Sequence, residues 1–176
     1  MTGMRIGLIG PLPPPSGGMA NQTRQLARLL RSEGLEVELV QTNAPYRPRW
    51  AGRLKGIRAL FRLLPYLVRL WRTAGRVDLF HIMANSGWSW HLFAAPAIWI
   101  GRFRGVPVVL NYRGGEAEEF FSRSFRWVRP SLEKVTTVIV PSGFLADMFK
   151  RCGVATRIVA NIVNLDRFTV AGRHQH

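Results

Sequence analysis

Acidic residues are scarce in this chain, and cysteine is almost absent. Ten Asp and Glu stand against 25 Lys and Arg in 176 residues, a formal net charge of +15, which implies an anionic partner. The scarcity is sharpest between Glu38 and Asp78. No acid occurs there, while Arg47, Arg49, Arg53, Lys55, Arg58, Arg62, Arg69, Arg72 and Arg76 supply nine positive charges. The single cysteine, Cys152, excludes an internal disulfide and a cysteine-based metal site, in keeping with a reducing compartment. Long hydrophobic runs are missing as well. The longest apolar stretch, 88–101, carries His91 and Pro96 and falls short of the roughly 20 residues that cross a bilayer. The first apolar run, 6–12, is broken by Gly7, Gly10 and Pro11 and followed by Pro13, Pro14 and Pro15, unlike a secretion signal. A cytoplasmic location is expected. His81, His91, His174 and His176 lack the spacing of a metal site, so no metal is expected.

What is present is enough apolar residue, 47% of the chain, to bury the core of one domain. The run 4–10 is short, apolar and ended by Gly10-Pro11, the pattern of a buried strand. Ala20, Thr23, Leu26, Ala27 and Leu30 recur at helical spacing, and Gly34 follows as a C-cap. Residues 35–40 alternate as a second strand. Further strands are expected at 77–82, 106–111, 136–140 and 156–159, with helices over 52–74, 88–104, 116–129 and 143–151. Strands separated by helices predict an α/β, Rossmann-like, doubly wound and mainly parallel sheet with helices on both faces. The domain is expected over 1–168, with 169–176 as a disordered tail.

In such a sheet, ligands bind at the carboxyl ends of the strands. The loop after strand one ends in Gly17-Gly18 at the mouth of a helix, where backbone amides and the helix dipole favour an anion. Both glycines are candidates for contact with a phosphate or sugar, or simply shape a turn. The loop is not the Gly-x-Gly-x-x-Gly of a nicotinamide-dinucleotide site, so no bound cofactor is expected. The loop after strand four reads Asn111-Tyr112-Arg113-Gly114-Gly115-Glu116, a dense set of polar groups for a connector. Arg113 can pair with phosphate or carboxylate. Glu116 can accept a hydroxyl hydrogen bond or favour the following helix N-terminus, and Asn111 and Tyr112 complete the candidate site.

Several of these pieces, in their order, carry a family resemblance. Strand one, the proline loop with Gly17-Gly18, the first helix, Val140-Pro141-Ser142 before an apolar helix, and Asn161-Ile162-Val163-Asn164-Leu165-Asp166-Arg167-Phe168 together look like the N-terminal half of family-4 glycosyltransferases. The likeness runs from about residue 4 to residue 168. It implies the acceptor-side half of a GT-B fold, working on a nucleotide sugar as substrate with retention of configuration and no required metal. A lipid-linked or polysaccharide acceptor and a C-terminal donor-binding domain, in cis or in trans, are the implied partners. Where many members carry His-Gly after the fourth strand, this chain has Arg113-Gly114, so Arg113 takes a catalytic position by placement and Glu116 joins it as an orienting carboxylate. Members also place two glutamates eight residues apart in the donor domain; no pair of glutamates here has that separation.

The basic segment has two readings. Leu54, Ile57, Leu60, Phe61, Leu64, Leu67, Val68 and Trp71 recur at three- and four-residue steps, and Pro65 is expected to kink the helix or start a second one. Either the apolar stripe packs on the sheet and the arginines are solvated, or Arg53, Lys55, Arg58, Arg62, Arg69 and Arg72 meet an anionic membrane on its inner face. Nucleic acid is disfavoured because no recognisable module for it is present. Trp88, Trp90, Phe93 and Trp99 are expected as a core stripe, and His81 as a structural histidine near the cleft. The competing function is a non-catalytic basic Rossmann-like module that binds a membrane or a protein partner.

Overall fold

The computed structural model describes residues 3–46 and 58–161. Arg53, Lys55, the 162–168 part of the Asn-rich segment and the expected tail lie outside the described residues, and Arg58 is described by its backbone alone. Six strands, β1 (Arg5–Gly10), β2 (Glu36–Gln41), β3 (Leu79–Ala84), β4 (Val108–Tyr112), β5 (Thr137–Val140) and β6 (Arg157–Ile158), form one sheet in the order β2-β1-β3-β4-β5-β6. Every pairing is parallel. The helices between them are α1 (Gly18–Ser32), α2 (Arg58–Ala74), α3 (Ala95–Phe103), α4 (Ala117–Leu132) and α5 (Gly143–Arg151).

The two-residue period of each strand sorts the side chains into two clusters. Leu8 and Met83 join Ala27 of α1 on one face, with Leu26, Val37 and Leu39 packed around them. Ile9, Val40, Phe80, Ile82, Leu110 and Val138 join Leu70 of α2, Ile98 of α3 and Phe149 of α5 in the larger cluster. The larger cluster closes tightly around the Phe80 ring, because β1 offers Gly7 and α3 offers Gly101 where it lies. A Cβ on either would stand 2.8 Å and 3.2 Å from that ring, closer than packed carbons approach.

Local signals account for the helix ends. Gly34 adopts φ +81° after α1, the left-handed conformation glycine takes without a Cβ clash. Ser142 caps α5 by accepting from the Leu145 amide at 3.4 Å, which is why Pro-Ser ends β5 and begins a helix.

Two expectations are corrected and a third is refined. Pro65 starts no second helix, because α2 runs unbroken through it, the ring sitting on an exposed face. The helix expected over 88–104 is present from Trp88, but it passes through a π-helical turn at Trp90–Ala94 before continuing as α-helix from Ala95. Pro96 has no N–H to donate and suits the first turn of that α-helical ladder. The tryptophan stripe is not a core stripe throughout, because Trp90 is fully buried while Trp88 is 78% exposed.

Candidate functional site

The sheet order reverses direction at β1, whose neighbours are β2 on one side and β3 on the other. A crevice opens at such a switch point beyond the carboxyl ends of the strands, and the loops after β1, β3 and β4 converge there. The loop after β1 is pinned to the one after β2 by Asn43, whose Nδ2 donates to the Leu12 carbonyl at 2.8 Å while its Oδ1 accepts from the Leu12 amide at 2.9 Å. Gly17 then takes the N-cap position of α1 in an extended conformation, with no side-chain cap and no acid in the first turn. Neither Gly17 nor Gly18 is glycine because of crowding. A Cβ on either would meet nothing within 4 Å.

Arg113 is the hub on the β4 side. Its amide donates to the Ala84 carbonyl at 2.9 Å, extending the β3–β4 ladder one residue past β4. Its half-buried side chain donates through Nε to Asn111 Oδ1 at 2.9 Å, and through Nη1 to Asn161 Oδ1 and, at 3.5 Å, to Gln22 Oε1 of α1. Burial lowers its pKa from the ordinary value, but an arginine keeps its charge across any physiological pH.

A guanidinium only donates, so Asn111 must turn Oδ1 toward Arg113 and Nδ2 toward His81. His81 Nε2 lies 3.1 Å from that Nδ2 and must therefore accept, which places its proton on Nδ1. Desolvation first, and the Arg113 charge second, push the His81 pKa down to about 4. Asn111 is 3% exposed and Met83, its register partner, packs against α1. His81, Asn111 and Arg113 therefore form a fixed polar line on the α1 side of the sheet, leading from a neutral imidazole to a cation.

Tyr112 points to the other face. It is wholly buried, its ring set edge-on to Phe121 and Phe149, and its hydroxyl lies 2.8 Å from Ser86 Oγ. Burial pushes its phenol up to about 12 against the lowering effect of Ser86. Gly114 is glycine by necessity, since a Cβ there would stand 2.3 Å from Ser86 Oγ and 2.6 Å from the Tyr112 hydroxyl. Glu116 occupies the N-cap position of α4 without a capping hydrogen bond from its side chain. It is exposed and lines a cavity of about 200 Å³ with Ser86, Gly87, Glu119, Phe120 and Arg123. Arg113 thus ties Asn111 to Gln22 on α1, a turn beyond Gly17 and Gly18, while Glu116 lines a different cavity. Gln22 and Ser86 escaped sequence reasoning, because neither sits in a local pattern; only the fold carries them to the strand ends. Among the described residues, no group of three or more His, Cys, Asp or Glu is placed to hold a metal ion.

Residues 16–167 match the family model of Glycosyltransferase Family 4. Among solved structures, a conserved protein from Enterococcus faecalis is 14% identical, with 91% of this chain and 92% of that chain covered and a TM-score of 0.40. No curated protein matches.

Proposed function

The chain belongs to glycosyltransferase family 4, and on that premise we propose that it shapes the acceptor side of a cleft in which a sugar passes from a nucleotide donor to a lipid-linked or polysaccharide acceptor. The observation that carries the reading is the family match over 16–167 taken with Arg113, a cation built into the crevice through Asn111, Asn161 and Gln22. In the transfer, the bond from the anomeric carbon to the diphosphate oxygen breaks with its electrons going to the diphosphate. The acceptor oxygen bonds to that carbon and gives up its proton to the departing diphosphate. Arg113 balances negative charge near the reacting centre, Glu116 orients acceptor hydroxyls, and the Gly17 and Gly18 amides offer donors to a phosphate or sugar. Retention of configuration follows the family resemblance.

A GT-B cleft has two walls, and the described residues form one Rossmann-like sheet. Donor and acceptor react when held together in register, so the donor wall comes from a C-terminal domain in cis or in trans. Incubating the chain with labelled nucleotide sugars and a membrane extract, with and without a matching donor-binding domain, is the test. Transfer is expected when the second domain is present; efficient transfer by these residues alone, or none under either condition, overturns the half-cleft reading.

The membrane is the second element of the proposal. No helix among the described residues is long and apolar enough to span a bilayer, but α2 turns Leu60, Leu64, Val68 and Trp71 outward, each about half exposed. Of the two readings of the stripe, neither holds for all of it: Leu67 packs against the core beside Leu63, Tyr66, Leu70 and Ala74. Arg69 and Arg72 lie exposed beside the stripe, and the Arg104 guanidinium stands 4.8 Å over the Trp71 ring. An apolar stripe edged by arginines suits the surface of an anionic membrane, where each cation adds on the order of 1 kcal/mol at low salt. Co-sedimentation is expected with anionic but not neutral vesicles, weakening as salt rises and abolished by Leu64→Glu with Trp71→Glu. Equal binding to both vesicle types, or to neither, refutes it.

A further inference from the structure

The same edge of the sheet carries a second basic feature, next to the crevice and separate from it. Where β2 ends, the chain turns past Ala44 and Pro45, and the N-terminal half of α2 lies against it. Between them is a groove of about 310 Å³ whose polar lining is Gln41, Arg62 and Arg69 and whose apolar walls include Pro45, Phe61 and Pro65. The Arg62 guanidinium lies 4.3 Å over the Tyr46 ring, which holds a long side chain in one place and leaves its charge in the groove. Its Nε is shut away from solvent without a hydrogen-bond partner among the described residues.

These cations lack carboxylates. The sequence has no acid between Glu38 and Asp78, so nothing in the segments that build the groove can neutralise them. The two acids on the facing side of β2 are already used: Glu36 pairs with Arg5 at 3.1 Å, and at the far end of α2 Glu38 Oε1 accepts from Thr73 Oγ1 at 2.5 Å and Arg76 Nη2 at 2.7 Å. Among the described residues, neither Arg62 nor Arg69 enters an ion pair. Two arginines with a planar face, a neighbouring amide and apolar walls form the complement of a phosphate ester with an organic substituent.

We propose that the groove between the end of β2 and α2 is a phosphate subsite, in which Arg62 and Arg69 hold a phosphate ester while Pro45, Phe61 and Pro65 receive its organic part. Gln41 ties it to the crevice, donating through Nε2 at 3.0 Å to Asn43, the residue that pins the loop after β1. Resting on the proposed sugar transfer, the subsite's ligand is the acceptor, a phosphorylated molecule whose hydroxyl reaches the crevice while its phosphate stays on β2. The phosphate can belong to a lipid headgroup or to a soluble ester.

The 176-residue chain is titrated with pyrophosphate and with glycerol 3-phosphate by calorimetry, and with phosphatidylcholine vesicles with and without phosphatidylglycerol by co-sedimentation. Arg62→Gln with Arg69→Gln is expected to weaken phosphate binding at least tenfold, with Arg62→Lys recovering part of it. Arg28→Gln with Arg126→Gln, which removes equal charge elsewhere on the surface, is expected to leave it unchanged. Should the double variant unfold, the exposed Arg69→Gln alone carries the comparison. A loss confined to phosphatidylglycerol vesicles assigns a lipid headgroup; a loss confined to the soluble anions assigns a soluble ester. Equal weakening by both pairs means that net charge alone attracts the anion and overturns the subsite, as does a wild-type chain that binds none of the probes. The transfer assay with a donor domain separates the two readings: groove-dependent phosphate binding without sugar transfer sinks the enzyme and keeps the subsite.

Discussion

Arg113→Ala is expected to lower turnover of the assembled two-domain transferase by about 10²–10³-fold, the usual loss when a preorganised donor to developing negative charge is removed. Three acceptors hold this side chain at once, on β4, on α1 and at Asn161, so its cation is positioned before substrate arrives and needs little reorganisation during the reaction. Truncation also strips the buried Asn111 Oδ1 of its donor, which costs about 1–3 kcal/mol of stability. That cost lowers the melting temperature by some degrees but leaves the domain folded under assay conditions, so turnover per folded molecule isolates the functional part. Arg113→Lys is expected to recover little. A lysine carries the charge, but it cannot donate to Asn111 and Asn161 from two nitrogens of one rigid plane. Undiminished turnover of Arg113→Ala removes this residue from the site, and loss of activity that tracks the unfolded fraction makes its role structural.

Much of this architecture is legible along the chain because β1, β3 and β5 are short apolar runs closed by Gly10, Asn85 and Pro141, and β2 alternates. The strand at β1 and the caps at Gly34 and Ser142 follow from such local chemistry. Strand order is another matter. Alternating strands and helices imply a parallel sheet, yet nothing local states that β3 lies beside β1 rather than β2; that depends on the crossover of α2. The same step explains the α2 stripe. Helical spacing groups Leu60, Leu64, Val68 and Trp71 on one face but cannot say which face meets the sheet, and the residues that do so include Tyr66, Leu67, Leu70 and Ala74. At the site, Asn111, Arg113 and Glu116 stand out because polar residues cluster after a strand. Tyr112 belongs to the same cluster in sequence, but the two-residue period of β4 sends its ring to the opposite face. His81 shows the complement, an ordinary strand residue whose meaning comes from Asn111 on the neighbouring strand.

The hydrogen-bond line from Arg113 to His81 predicts that the fold loses stability in mild acid. Unfolded, His81 takes up a proton near its ordinary pKa of 6.5; folded, it resists protonation down to about 4, through burial first and the Arg113 charge second. Between those values the unfolded chain binds more protons, so stability falls as pH falls through that window, and this group adds no further change above or below it. With His81 retaining some solvent contact, the expected loss is on the order of 2–3 kcal/mol. The hydrogen bonds give the same sign: a proton on Nε2 would face the Asn111 amide, and turning that amide to accept it would set its NH2 against Arg113. His81→Gln preserves an acceptor for Asn111 and cannot titrate. Urea unfolding of both proteins at about pH 7 and about pH 4 reads the difference, since the surface carboxylates titrate alike in each and cancel. The variant is expected to lose less stability on acidification, by on the order of 2–3 kcal/mol. Equal losses mean that His81 is protonated in the folded domain, and then the direction of the whole line through Asn111 is wrong.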